Sequence, residues 1–303
     1  MKAILSTGYG SPDVLQLREV EKPVPKHNEI LIKVHATTVS QADRRFRIPD
    51  PLAIRLFNGL LRPKRIPILG LELAGEVEAT GEEVKNFRRG DQVFAFTGFY
   101  FGAYAEYKCM AEDGAAKTDG LVTKKPENLS FREAAAVPSG GLTALGIIRK
   151  ADIKKDQKVL IYGASGSIGT YAVQLAKVFG GRVTGVCSTS NLEMVSSLGA
   201  DAVIDYTKED FTKSGEKYDV IIDAVHKKSR AFCKRALKNG GVFLSAHSST
   251  VPGLEDLIFL RELLEADKIR PVIDRCYPIE QVADAHRYVD QGRKKGNVVL
   301  TLD

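Results

Sequence analysis

From residue 158 onward, apolar runs of strand length alternate with segments whose apolar residues recur at helical spacing. Lys158–Tyr162 reads as a buried strand. The stretch from Gly166 to Phe179 reads as a helix, with Ile168, Ala172, Leu175, Ala176 and Phe179 on one face. The same reading gives a strand Arg182–Cys187, a helix Asn191–Leu198, strands Ala202–Ile204 and Tyr218–Asp223, a helix Ser229–Leu237 and a strand Gly241–Ala246. A helix Leu254–Ala266, a strand Val272–Arg275, a helix Ile279–Val289 and a closing strand Val298–Leu302 follow. Strands and helices interleaved in this way form βαβ units on a parallel sheet.

The first third is patterned differently. Ile30, Ile32 and Val34 alternate with Leu31, Lys33 and His35 at the two-residue period of a strand, and Asp91–Phe96 is a second strand after the Arg89-Gly90 turn. Frequent glycine and proline point to short strands in a compact, barrel-like unit. The texture changes near Lys124-Lys125-Pro126, and 303 residues exceed what one core usually organises, so two domains are expected.

Composition narrows the classes. With 44% hydrophobic and 27% charged residues the chain matches an ordinary globular protein. Charges interrupt every apolar stretch well before membrane-span length, and the run after Lys2 is too short for a signal-peptide core. A cytoplasmic protein with no membrane partner is expected. The net charge of +6 resides in short, dispersed clusters: Arg44-Arg45, Arg62–Arg65 and Lys294-Lys295. No aromatics interleave them, which argues against nucleic acid and fits attraction of an anionic cofactor. Cys109, Cys187, Cys233 and Cys276 lie too far apart for a zinc knuckle or a disulfide framework and read as small buried hydrophobes. The histidines His27, His35, His226, His247 and His286 show no metal or triad spacing.

The sharpest signal is Gly163-Ala164-Ser165-Gly166-Ser167-Ile168-Gly169, between the first buried strand and its helix. Glycines there let backbone approach a pyrophosphate, and the helix start supplies N–H groups and a positive dipole end. The spacing is G-x-x-G-x-x-G, a variant of the dinucleotide fingerprint. Readers of NAD carry a carboxylate at the end of the following strand for the ribose hydroxyls. Here that strand ends in Ser188, Thr189, Ser190 and Asn191, with no acid to repel a 2′-phosphate, which favours NADPH over NADH.

The run Val159–Gly169, with Ala172–Lys177 and Leu198–Asp201, resembles the quinone oxidoreductase branch of the medium-chain dehydrogenase/reductase superfamily. The resemblance extends through Gly70–Gly75, Arg89–Val93, Gly102–Tyr107, Gly141–Ala144 and Lys294–Val299, in the family's order. It implies an α/β chain with a GroES-like β-rich catalytic domain over residues 1–124, completed by 268–303, and a Rossmann-type NADP-binding domain over 125–267. It implies a homodimer as well. Carried over by position, Thr143 lies near the cofactor. Gly166, Ser167, Ile168 and Gly169 lie at the pyrophosphate, in the turn that also holds the candidates Gly163 and Ser165. Ser188 and Tyr206 face the 2′-phosphate, next to the candidates Thr189 and Asn191 of the polar strand end. Leu244, Ser245 and Ala246 line the nicotinamide, and Asn297 holds the far side. Relatives often place a Lys where Asn191 stands, and the segment between Ala246 and Leu254 is shorter than the family pattern.

Zinc-dependent members of the superfamily ligate the metal through the His of a Gly-His-Glu motif. Leu71 holds that place, no Cys stands in Ser40–Asp43, and the clustered cysteines of a structural zinc lobe are missing around Gly98–Met110. A zinc-free enzyme follows. Without a Lewis acid, a substrate whose conjugation spreads negative charge is favoured, such as a quinone or an α,β-unsaturated carbonyl. Ser40, Asp43 and Tyr100 are the candidate catalytic residues. Asp43 equally fits a helix cap or an ion pair with Arg44 or Arg47. The alternatives are an enoyl-thioester reductase using Arg62, Lys64 and Arg65, and a low-turnover NADPH-binding protein of crystallin-like or RNA-binding type.

Overall fold

The computed structural model describes residues 1–114 and 120–302. The chain forms two compact units, one of Met1–Ser139 with Gly253–Arg261 and Ile273–Asp303, the other of Gly140–Pro252 with Glu262–Val272.

In the first unit, β1 (Lys2–Ser6) and β2 (Leu15–Glu19) form an antiparallel pair. A larger sheet contains β3 (Glu29–Thr38), β4 (Glu72–Thr80), β5 (Gln92–Phe96), β6 (Tyr107–Ala111) and β7 (Leu121–Lys124), closed by β13 (Ile273–Pro278) and β14 (Asn297–Thr301). Its order is β13-β14-β3-β4-β5-β7, with β6 also on β3. The alternation in β3 is explained by burial: Ile30, Ile32 and Val34 meet Leu73, Val77, Val93 and Ala95 in one core. Gly75 lets β4 approach β3 closely, since a Cβ there would strike the Lys33 carbonyl. A second core joins Tyr104, Phe101, Val298 and Leu300 to helix α9 (Val282–Asp290).

In the second unit, β8 (Lys158–Tyr162), β9 (Arg182–Cys187), β10 (Ala202–Asp205), β11 (Tyr218–Asp223) and β12 (Leu237–Ser245) lie all parallel in the order β10-β9-β8-β11-β12. The chain leaves β8 toward one edge and then returns to β11 on the other side. That places the topological switch point, where such sheets take ligands, at the carboxyl ends of β8 and β11.

Several elements depart from the sequence expectation. Helix α5 (Ser167–Val178) is not amphipathic in the expected sense, for Gly169–Ala176 are all buried. The helix expected over Ser229–Leu237 is only α7 (Arg230–Cys233), because Leu237 enters β12 opposite Tyr218. The expected strand Gly241–Ala246 therefore starts earlier and carries an irregularity between its pairings with Tyr218 and Val220. Helices α3 (Phe131–Ala135) and α4 (Pro138–Ala151) were not anticipated. The expected domain junction at 124–125 lies before α3, whereas the first compact unit runs to Ser139 because α3 packs on β3 and β4.

Candidate functional site

The loop after β8 is shaped by its glycines for three different reasons. Gly163 adopts a positive φ of 80°, and a Cβ there would meet Val225 at 2.6 Å. Gly169 lies in α5 against the Gly163 carbonyl, where no Cβ fits. Gly166 differs, for it is the N-cap of α5 with ordinary extended backbone, and a Cβ would meet only the Gly163 oxygen at 3.6 Å. Its missing side chain leaves space open rather than permitting internal packing. Gly166 gives the helix no side-chain cap, and the first backbone bond of the turn runs from Thr170 N to Gly166 O at 2.9 Å. The Ile168 and Gly169 amides thus precede the helical ladder at its positive end. These features fit a diphosphate.

Asn191 ties this loop to the end of β9. The side chain is buried, and its Nδ2 donates to Ser165 Oγ and Ser188 Oγ, both at 3.1 Å, while its Oδ1 is buried without a partner among the described residues. An orphaned acceptor beside two hydroxyls is a place where a ligand hydroxyl fits. Thr189 donates its hydroxyl to Asp205. Sequence reasoning missed that acid because it ends β10, not β9; the parallel register sets Asp205 beside Cys187. Hydroxyls of Thr189 and Thr207 hold the Asp205 carboxyl down to about 2, and Lys208 Nζ lies 3.8 Å away. Tyr206 is exposed, with its ring 6.2 Å from that of Tyr162.

The remaining cofactor candidates are placed by strand ends and close helix contacts. Leu244, Ser245 and Ala246 end β12 and open a short 3-10 turn, in which Ser245 N donates to Ser248 Oγ at 3.0 Å. The register pairs Ser245 with Asp223, at the carboxyl ends of adjacent strands. Gly140 lies so near the Ser167 carbonyl that a Cβ would approach it to 2.9 Å, and Thr143 lies one helical turn further along α4. Asn297 is buried at the first position of β14 in the other unit.

Ser40 and Asp43 form the capping box of α1 (Gln41–Arg47). Asp43 N donates to Ser40 Oγ at 3.2 Å, and Asp43 Oδ2 accepts Ser40 N at 2.8 Å and Ser40 Oγ at 2.5 Å. Its other oxygen accepts Gly70 N at 2.8 Å. The cap reading of Asp43 is therefore realised; the ion-pair reading is not, since Arg44 and Arg47 both turn to Asp290. Burial raises the Asp43 carboxyl to about 6 against these bonds. Tyr100 lies apart from this cluster's hydrogen bonds, exposed on the short helix Gly98–Tyr100.

Glu72 escaped the sequence reading although it follows Leu71. It is buried, accepts the Thr38 hydroxyl and Ser139 N at 2.6 Å, and burial pushes it up to about 7. Burial also brings Lys294 down to about 8, opposed by Glu72. Tyr104 donates to the Thr38 carbonyl at 3.2 Å and meets His286 Nε2, while Arg47 Nε donates to His286 Nδ1. An acid within the apolar run Leu69–Ala74 was the available signal. Leu71 itself packs against the core beside Ile66 and Leu69.

Of the cysteines, Cys187 and Cys233 are buried as expected, but Cys109 is only half-buried and Cys276 is exposed on β13. The rings of His226 and His247 meet edge-on at 4.2 Å. Among the described residues, no group of three or more His, Cys, Asp or Glu side chains is arranged to hold a metal, and no helix is long and apolar enough to cross a membrane.

A parallel sheet of this order with a glycine-built turn at its switch point defines a dinucleotide-binding protein. Comparison with known proteins is consistent with that class. The model of the alcohol dehydrogenase GroES-like domain matches residues 26–120, and two zinc-binding dehydrogenase models match 167–262 and 245–300. The chain is 37% identical over 322 residues to a 2-methylene-furan-3-one reductase of Solanum lycopersicum, covering 99% of this chain and 79% of that one. It is 31% identical to a chloroplastic NADPH-dependent alkenal/one oxidoreductase of Arabidopsis thaliana, with 99% and 79% covered. The solved quinone oxidoreductase of Coxiella burnetii superposes with a TM-score of 0.88 at 31% identity, covering 100% and 99%. The chain belongs to the medium-chain dehydrogenase/reductase superfamily, in its quinone oxidoreductase branch. It is an oxidoreductase that uses a nicotinamide cofactor.

Proposed function

We propose that the protein is a zinc-free, NADPH-dependent reductase of quinones or α,β-unsaturated carbonyls, working as a homodimer. The observation that carries the reading is the open space at Gly166, at the start of a helix whose Ile168 and Gly169 amides precede the backbone ladder. The bound nicotinamide supplies the hydride. The residues of this chain do the rest. Gly163, Gly166 and the Ile168 and Gly169 amides hold the diphosphate. Ser188, Asn191 and Tyr206 receive the adenosine ribose and its 2′-phosphate. Ser245 and Ala246 would border the nicotinamide, with Thr143 near it. Leu71, partly buried and packed against the core, has no atom that ligates a metal, which supports chemistry without one at that position.

Ser40 is the hydroxyl that steadies the acceptor oxygen. Its proton is engaged by Asp43 when that acid is ionised. When Asp43 is protonated it donates to Ser40 Oγ, and the serine proton is released toward the acceptor. Names of relatives support this substrate class: one reduces a methylene-furanone, another acts on alkenals and enones, and a third is a quinone oxidoreductase.

The test is NADPH consumption with a panel of quinones, enones, enoyl thioesters and simple aldehydes, repeated with NADH and beside metal analysis. Turnover with 1,2-naphthoquinone or an enone, faster with NADPH and with substoichiometric zinc, is expected. Turnover only with enoyl thioesters, or none beside salt-dependent RNA binding, would contradict the proposal.

A further inference from the structure

Residues 51–65 carry an arrangement that the reductase reading does not use. Leu52, Leu56, Leu60 and Leu61 are 72%, 80%, 64% and 90% exposed, respectively. Four leucines this bare within ten residues far exceed the scattered apolar residues a surface normally shows. They are not loosely displayed. Leu52, the N-cap of α2 (Ala53–Asn58), and Leu56 within it are spaced i, i+4, and Leu60 and Leu61 follow the sharp turn at Gly59, whose φ is 114°. The buried Asn58 side chain accepts Arg65 N at 3.1 Å and Ile66 N at 2.8 Å, and Lys64 N returns to the Asn58 carbonyl at 2.6 Å. Tyr9 fixes the Gly59 carbonyl at 2.8 Å, and Phe57 turns inward edge-on to Phe99 at 5.5 Å. The loop is thus stapled from beneath while its leucines face out.

The charges beside it have one sign. Arg55, Arg62, Lys64 and Arg65 stand here, and no acidic residue occurs between Asp50 and Glu72. None of the four makes an ion pair among the described residues. Arg55 lies over the Tyr9 ring at 5.2 Å and Arg65 over the Phe57 ring at 5.0 Å, which holds two of the cations beside the apolar tip.

We propose that this basic, leucine-tipped loop docks the enzyme on the surface of an anionic lipid bilayer. Leucines entering the headgroup boundary and unpaired cations meeting anionic lipid are the two components of peripheral membrane binding. A second copy of the same patch would set four cations against four, which disfavours self-association through this face. Nucleic acid would leave the leucines unused. The expectation of no membrane partner rested on the lack of a spanning segment, which surface docking does not need. Uptake of lipid-dissolved quinones would follow, but that consequence rests on the proposed function, whereas docking itself does not.

The test is flotation of the full chain, without substrate or cofactor, with phosphatidylcholine vesicles that do or do not contain phosphatidylserine. Wild-type protein floats with the anionic vesicles and not with the neutral ones, and its binding weakens with salt. L56D/L61D loses this binding by about tenfold or more per leucine, with thermal midpoint and turnover unchanged. R62Q/K64Q weakens it about fivefold per cation. The proposal is overturned if wild-type protein does not bind anionic vesicles, or if L56D/L61D binds as wild type does. It is equally overturned if the leucine variant instead abolishes a concentration-dependent dimer. Should L56D/L61D misfold, the milder L61S and R62Q/K64Q decide by the same readout. Failure here leaves the reductase reading intact, since NADPH turnover is measured separately.

Discussion

The Asp43–Ser40 pair shows how one short motif can serve as both cap and chemistry. As a capping box it stabilises α1, and S40A is expected to lower stability by about 1 kcal/mol, read from a denaturant midpoint. As the proposed donor it is governed by the Asp43 proton. Since burial raises that acid to about 6, turnover should rise as pH falls through 6 and the serine proton is released. In D43N the inflection should vanish from the kcat profile; an unchanged inflection would assign it elsewhere. Glu72 makes a separate prediction about stability. Its folded pKa of about 7 stands above the ordinary 4.5, so its contribution is complete below pH 4.5 and is lost as pH rises toward 7. The loss amounts to about 3 kcal/mol by that shift. His286, depressed to about 3 by burial and Arg47, works the other way, giving up stability as pH falls below 6.5. E72Q, whose amide can serve Thr38 and Ser139 N, should remove the Glu72 share of the loss between pH 4.5 and 7 in thermal scans, while the decline due to Asp43, which ends near pH 6, and the acid limb of His286 stay in place. A parallel decline in wild type and E72Q would refute the assignment.

At the scale of elements, the three glycines of the β8–α5 loop separate binding from folding. Gly166→Ala adds a methyl to open space on permitted backbone, so its thermal midpoint should stay near wild type while NADPH affinity falls about tenfold, measured by calorimetry. Gly169→Ala drives a methyl into the Gly163 carbonyl and should cost about 1–3 kcal/mol of stability. Equal NADPH affinity in Gly166→Ala and wild type would remove the diphosphate from this turn. The parallel sheet was legible because its central strands β8 and β11 are buried on both faces and read as nearly unbroken apolar runs. Helix α7 was overestimated because Ala236 and Leu237 continue a helical pattern that pairing with β11 overrides. Helix α4 escaped because Gly140 and Gly146, poor helix formers, are there for close approach to Ser167 and to Ser249. The glycine turn could be read in advance because its signal is local. Asp205 and the Glu72–Lys294 pair could not, because they depend on register and on residues over two hundred positions apart.

For the whole molecule, an inserted parallel-sheet unit interrupts a β-rich unit that the C-terminal segment completes. That interruption made the order of elements readable while leaving the junction residues ambiguous, since α3 follows the texture change yet packs with the first unit. Chelation is predicted to leave turnover unchanged, because the apolar side chain of Leu71, packed against the core, stands where a metal ligand would. Loss of activity on chelation, restored by zinc, would contradict this. The proposed homodimer should appear as twice 33.1 kDa in light scattering. The central claim is hydride delivery from NADPH to a conjugated acceptor, and isotope transfer tests it most directly. With stereospecifically 4-deuterated NADPH and an enone, one of the two labels is predicted to appear at the β-carbon of the product, as detected by NMR. Product free of deuterium with either label, formed in unlabelled water, would contradict the account.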